Sequence, residues 1–169
     1  MPILESAVAA TSSEFELNKA NMEAALNELR ALEKRTRDAS AKAAPSFAKR
    51  GQLLPRDRVA LLLDSGSPFL ELSTLAGYMQ DGQKADKSIP GGGIIAGLGY
   101  VANTLCMVVA SDSGIEAGAL QAMGIEKMQR AQDIALENKL PFINLGESAG
   151  ANLLKYKVEH FILGGGNFY

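Results

Sequence analysis

The chain has 169 residues, 47% hydrophobic and 21% charged, with a net charge of −2, which fits a folded chain of one domain and excludes disorder. That balance gives no reason to invoke nucleic acid, and no run approaches the ~20 apolar residues that span a bilayer. One cysteine and one histidine, Cys106 and His160, exclude a disulfide framework, a zinc ribbon and a clustered metal site. The first ten residues lack a basic region and carry Glu5, so they read as neither a signal nor a transit peptide. A bacterial cytoplasm is the expected location. Nine basic residues from Arg30 to Arg58 crowd the first third, as a solvated helix face or as a surface for a phosphorylated ligand or an acidic partner.

The first element is a long amphipathic helix over residues 14–42. Ser13 and Glu16 have capping-box spacing, Phe15, Met22 and Leu29 recur every seven residues, and Ala25, Leu26 and Leu32 fill the same stripe. Such a stripe calls for burial, against the body of the molecule or a second subunit. Ala43–Gly51 reads as a looser connection broken by Pro45 and Gly51. Pro55 opens a short helix running to Leu63, where a proline at the first helical position sacrifices no needed donor.

Phe69–Leu72 is a short strand, and residues 77–93 form a loop closing on Pro90-Gly-Gly-Gly93. Strands Ile94–Val101 and Leu105–Ala110 follow, joined by a turn at Ala102-Asn103-Thr104. Gly97 and Gly99 in the first of them mark a place where something approaches the backbone closely. Cys106, between Leu105 and Met107, is a small core residue. Residues 111–122 are loop. Met123–Asn138 is a helix with Ile125, Met128, Ala131 and Ala135 on one face and Glu126, Lys127, Arg130 and Asp133 on the other. A buried strand through Phe142, Ile143 and Leu145 then meets the small-residue turn at Gly146–Ala151, and a last helix covers 151–161. The strand–helix–strand order over 105–145 predicts a right-handed crossover and a partly parallel sheet. Four strands and an abrupt glycine-rich end predict a fragment or a truncated reading frame.

Three places can carry chemistry. Backbone N–H groups at Ser148-Ala149-Gly150-Ala151 lie where a helix begins and can hold an oxyanion such as a thioester enolate, or form a plain strand-to-helix turn. Gly91, Gly92 and Gly93 can admit a ligand to the backbone, a pantetheine arm for example, or form a flexible turn. Arg56 and Arg58 can bind phosphates, although Arg58 can pair instead with Asp57 or Asp64. Gly146-Glu-Ser-Ala-Gly150 satisfies Gly-x-Ser-x-Gly literally, but the lone His160 follows the turn immediately, whereas hydrolases place that histidine much later. Nucleotide-binding glycine motifs are absent.

An ordered series of segments resembles the carboxyltransferase (β) subunits of biotin-dependent acyl-CoA carboxylases. It comprises Arg56-Asp-Arg-Val-Ala-Leu-Leu-Leu-Asp-Ser-Gly-Ser67, Pro90-Gly-Gly-Gly-Ile-Ile-Ala-Gly-Leu-Gly99, Val108-Val-Ala-Ser-Asp112, Arg130-Ala-Gln-Asp-Ile-Ala-Leu-Glu-Asn-Lys-Leu-Pro141 and Glu147-Ser-Ala-Gly-Ala151. Residues 126–141 lean towards the methylcrotonyl-CoA and geranyl-CoA branch. The resemblance implies an α/β, crotonase-like fold of ββα units, incomplete here, with a helical arm over 1–50 and a truncated acyl-CoA carboxyltransferase domain over 51–169. It implies carboxyl transfer from carboxybiotin to an acyl-CoA through a thioester enolate. Backbone amides at Gly150 and Ala151 would serve as the oxyanion donors, and Ser148, Ala149, Gly91, Gly92, Gly93 and Arg56 would bind substrate. Biotin would arrive on a biotin carboxylase/carrier α subunit, no metal is implied, and the full-length protein would be a homo-oligomer. Ala149 stands where many relatives have glycine, and the family's downstream glycines and biotin-binding domain are missing, so the isolated chain is expected to be inactive. A decarboxylase relative of the glutaconyl-CoA or malonyl type and a non-catalytic CoA-binding or assembly module are the competing readings.

Overall fold

The computed structural model describes residues 8–80, 84–86 and 88–150. Helices α1 (Ser13–Ala41), α2 (Ala44–Lys49) and α3 (Pro55–Leu62) precede strands β1 (Leu70–Glu71), β2 (Ile94–Val101) and β3 (Thr104–Ser111). A 3₁₀ turn (Glu116–Gly118), helix α4 (Ala122–Glu137) and strand β4 (Phe142–Leu145) complete the described elements. The predicted helix over 151–161 and His160 lie outside the described residues.

The sheet runs β1-β2-β3-β4; β1 and β3 flank β2 antiparallel, and β3 and β4 pair parallel. The expected crossover is thus present, with α4 as its connection. Alternation along the strands sends Ile94, Ala96, Met107 and Val109 to one face, under Met128, Ala131 and Ala135 of α4. Ile95, Cys106, Val108 and Ala110 face the other way, onto Val59 of α3. Cover on both faces explains why β3 is apolar without interruption.

The β2–β3 hairpin turns on Ala102 and Asn103, both at positive φ (49° and 60°). Asp64 supports the turn, its two carboxylate oxygens accepting from the Ala102 and Asn103 N–H groups at 2.8 and 2.7 Å. The predicted close approach at the strand glycines is real. A Cβ on Gly97 would lie 2.5 Å from the Phe69 ring, and one on Gly99 2.5 Å from Leu63.

Four expectations change. The N-cap of α1 is Ser12, which accepts from Phe15 N–H at 3.1 Å, so Ser13 already lies inside the helix and Glu16 falls one position too late to close a capping box. Ala44–Lys49 is a helical turn rather than a loose connection: Pro45 falls within its first two positions, and Phe47 is buried. The apolar stripe on α1 is only partly covered by the described residues: Met22 and Leu26 are exposed by 61% and 37%, while Phe15, Leu29 and Leu32 are half-buried. The second half of α1 meets the body through buried Thr36 and Ser40 and through Arg35, which donates to the Ser88 carbonyl at 3.0 Å. Lys127, assigned to the solvent face of α4, is buried (4% exposed).

Candidate functional site

The turn after β4 packs by backbone contact on the loop that follows β3. Ser148 Oγ donates to the Gly118 carbonyl at 2.7 Å and accepts from Gly150 N–H at 3.0 Å. Ala149 N–H donates to Ala117 O at 3.2 Å, and Leu120 N–H donates to Gly150 O at 2.9 Å. A Cβ on Gly118 would run into the Glu147 carbonyl, so that position needs glycine. Two of the amides in this turn have partners: Ala149 is tied to the neighbouring loop, and Gly150 points at a hydroxyl within its own turn. Ala151 lies outside the described residues. Ser148, Ala149 and Gly150 are exposed. With both Oγ contacts engaged and no histidine among the described residues, Ser148 is not built as a nucleophile.

The glycine loop is the second constellation. Gly91, Gly92 and Gly93 all have positive φ (106°, 64° and 68°), which only glycine adopts without strain. Ile94 N–H closes a tight turn on Gly91 O at 3.2 Å, and Gly93 O accepts from Asp112 N–H at 2.8 Å. Gly92 presses on the first turn of α4, where its Cβ would lie 3.0 Å from the Gly124 backbone. Neither Gly92 nor Gly93 N–H has a hydrogen-bond partner among the described residues. Donors of the kind expected after β4 are thus found before β2. Thr36 on α1 donates to Pro90 O at 2.9 Å, so the arm braces this loop.

Behind the loop sits a buried charge cluster. Arg56 on α3 forks onto Glu71 of β1, with both nitrogen–oxygen distances 2.9 Å. Burial works against both charges. The shared hydrogen bonds and mutual attraction outweigh it, holding the Arg56 pKa above and the Glu71 pKa below its ordinary value. Arg56 therefore has its two terminal nitrogens paired with Glu71. Asp112 accepts from Ser40 Oγ at 2.5 Å. Burial raises its pKa, against that hydrogen bond and the charge of Arg56. Arg56 Nε and Asp112 Oδ2 are buried without partners. Both residues line a crevice with Gly91, Gly93, Thr36 and Glu71, whose cavity of about 10 Å³ has room for one water.

Lys127 rises from α4 to the rear of the glycine turn and donates to Ile94 O at 2.6 Å and Gly91 O at 3.3 Å. Burial is the main cause that lowers its pKa, from 10.5 to about 8.

Of the residues predicted from sequence, Gly91, Gly93 and Arg56 come together in one crevice, while Ser148, Ala149 and Gly150 gather on the Ala117–Gly118 loop. Helix α3 serves both places, because Arg58 pairs with Glu147 at 2.8 Å rather than with Asp57 or Asp64. Sequence reasoning missed Lys127, Glu71 and Asp112. Spacing contained a signal for Lys127: Gly124, Lys127, Met128, Ala131 and Ala135 are the buried positions of α4 and follow the helical period.

Residues 47–169 match the model of the carboxyl transferase domain. The chain belongs to this family. A probable methylcrotonoyl-CoA carboxylase β chain from Drosophila melanogaster is 42% identical over 89% of the chain and 26% of its own length. The biotin-dependent 3-methylcrotonyl-coenzyme A carboxylase β1 subunit of Mycobacterium tuberculosis is 50% identical over 62% of the chain and 19% of its own length. Among solved structures, the β subunit of P. aeruginosa geranyl-CoA carboxylase superposes with a TM-score of 0.84 at 49% identity, covering 97% of this chain and 30% of that one. The chain thus spans about a quarter of the length of the curated relatives it matches. The fold is that of the crotonase-like carboxyltransferases, carrying a long N-terminal helix, and the lean towards the methylcrotonyl-CoA and geranyl-CoA branch is borne out.

No group of three or more His, Cys, Asp and Glu capable of holding a metal occurs among the described residues. No helix among them is long and apolar enough to cross a membrane.

Proposed function

We propose that this chain is the acyl-CoA-binding part of a carboxyltransferase that moves a carboxyl group from carboxybiotin to an acyl-CoA through a thioester enolate. The observation that carries the reading is the match to the geranyl-CoA carboxylase β subunit over 97% of the chain. In this reading residues 1–50 are an arm and the rest is the carboxyltransferase region. Its partners are a biotin-carrying α subunit and further copies of the full-length protein, in a bacterial cytoplasm.

The chemistry asked of these residues is modest. An enolate places negative charge on the thioester oxygen, and preorganised N–H donors stabilise that charge where it develops. The open amides of Gly92 and Gly93 suit the pantetheine arm, whose own amides need donors and acceptors along an extended path. At Gly150 the N–H now held by the Ser148 hydroxyl would exchange that neutral acceptor for the charged oxygen, a stronger bond, with Ala151 beside it; Ser148 and Ala149 would line the approach. Biotin does not fit the crevice behind the glycine turn, which is lined by charges paired with one another and holds about one water.

Isothermal titration of the chain with methylcrotonyl-CoA and geranyl-CoA tests the reading. Sub-millimolar dissociation constants are expected, weakened at least fivefold by Gly150→Val, which strains a backbone held at φ 96° with open space around its Cβ position. Absence of heat with either thioester at millimolar concentration would overturn it.

A further inference from the structure

The glycine turn that offers open amides is not held in shape by its own hydrogen bonds. Three consecutive residues at positive φ are joined by a single turn bond from Ile94 N–H to Gly91 O, and glycine gives up more backbone entropy than any other residue on being ordered. Something outside the turn must fix it. Four contacts do: Thr36 on the Pro90 carbonyl, Gly91 N–H on the Ala76 carbonyl and Asp112 N–H on the Gly93 carbonyl, and Lys127 on the carbonyls at the two ends of the turn, Gly91 and Ile94. Only Lys127 bridges both ends. It is also costly to keep, since a buried ammonium forfeits its hydration.

We infer that Lys127 is the positioning residue of the Gly91–Ile94 turn: its ammonium cross-braces the two end carbonyls and so fixes the unpartnered amides of Gly92 and Gly93, and loss of its proton loosens the turn. A neutral amine retains donors but not the charge that makes carbonyl contacts strong. The charged groups facing Lys127 are Glu71 from β1, Arg56 from α3 and Asp112 at the end of β3. The carboxylates favour its protonated form and Arg56 opposes it. Its neighbours on α4, Glu126 and Arg130, are exposed or nearly so. Burial outweighs this balance and brings the change of state to about pH 8, within reach of ordinary solution conditions.

The acyl-CoA reading is needed only for the consequence in binding; the brace itself is tested without ligand. In labelled protein, the carbonyl carbons of Gly91 and Ile94 are followed by NMR from pH 6.5 to 9.5 together with the Lys127 side-chain nitrogen. All three are expected to shift with one midpoint near 8, while Met107–Val109 in β3 stay still. At pH 7, Lys127→Met is expected to raise amide exchange at Ile94, whose N–H closes the turn, at least tenfold and to abolish the carbonyl titration. Static carbonyls, or exchange within twofold of the parent, would overturn the inference. If the variant does not fold, the titration of the unaltered chain decides alone. A fall in acyl-CoA affinity through the same midpoint would tie the brace to binding. A brace that titrates in a chain binding no thioester at any pH would sink the functional reading and leave the brace standing.

Discussion

At Lys127 one side chain links stability to pH with a sign that can be worked out. Its pKa falls from 10.5 to about 8 on folding, so between those values the unfolded chain holds a proton that the folded chain lacks. Stability from this group therefore rises as pH goes from about 8 to 10.5, and it is lost as pH falls through 8. Lys127→Met removes the dependence. The melting temperature of the variant relative to the parent is expected to be most favourable below pH 8 and to decline progressively by pH 10; a constant difference across that range would contradict the assignment. Residues such as this were only partly legible in the sequence. Lys127 sits on the buried helical stripe by arithmetic, but its charge argued for the solvent face. Arg58 and Glu147 are 89 residues apart, and nothing local announces such a pair. Asp64 had an obvious role as a surface partner of Arg58, yet its geometry serves the hairpin turn.

Elements were more readable than residues, because periodicity and breakers act locally. The boundaries of β2 and α3 and the β2–β3 turn follow from glycine, proline and alternation. Helix α2 was hidden because Pro45 reads as a breaker, though proline is accommodated in a first turn where N–H groups lack partners anyway. The long helix was plain from its seven-residue apolar repeat, but a repeat says that a stripe seeks cover and not where the cover is. The two halves of α1 accordingly differ. Residues 13–30 rely on local bonds, and a stretch of that length is marginal alone, whereas residues 31–41 are tied to Pro90 and Asp112 through Thr36 and Ser40. Hydrogen exchange should show the first half at least tenfold less protected than the second. Equal protection would mean that the exposed stripe is covered in solution.

The whole molecule joins a parallel crossover, a glycine turn and an internal ion cluster in one frame, and the family match rests on that frame and on the ordered series of segments. Fold and family were visible in sequence because those segments occur in order along the chain. The placement of free donors was not, because whether an amide is open depends on which loop packs against it. After β4 the loop at Ala117–Gly118 supplies acceptors, whereas before β2 nothing described caps Gly92 or Gly93. The central claim is that a CoA thioester meets the chain at these amides. Mapping amide chemical shifts during a methylcrotonyl-CoA titration tests it most directly. The account predicts that Gly92, Gly93 and Gly150 move together and saturate with one dissociation constant; perturbations confined to α1, or none at all, would contradict it.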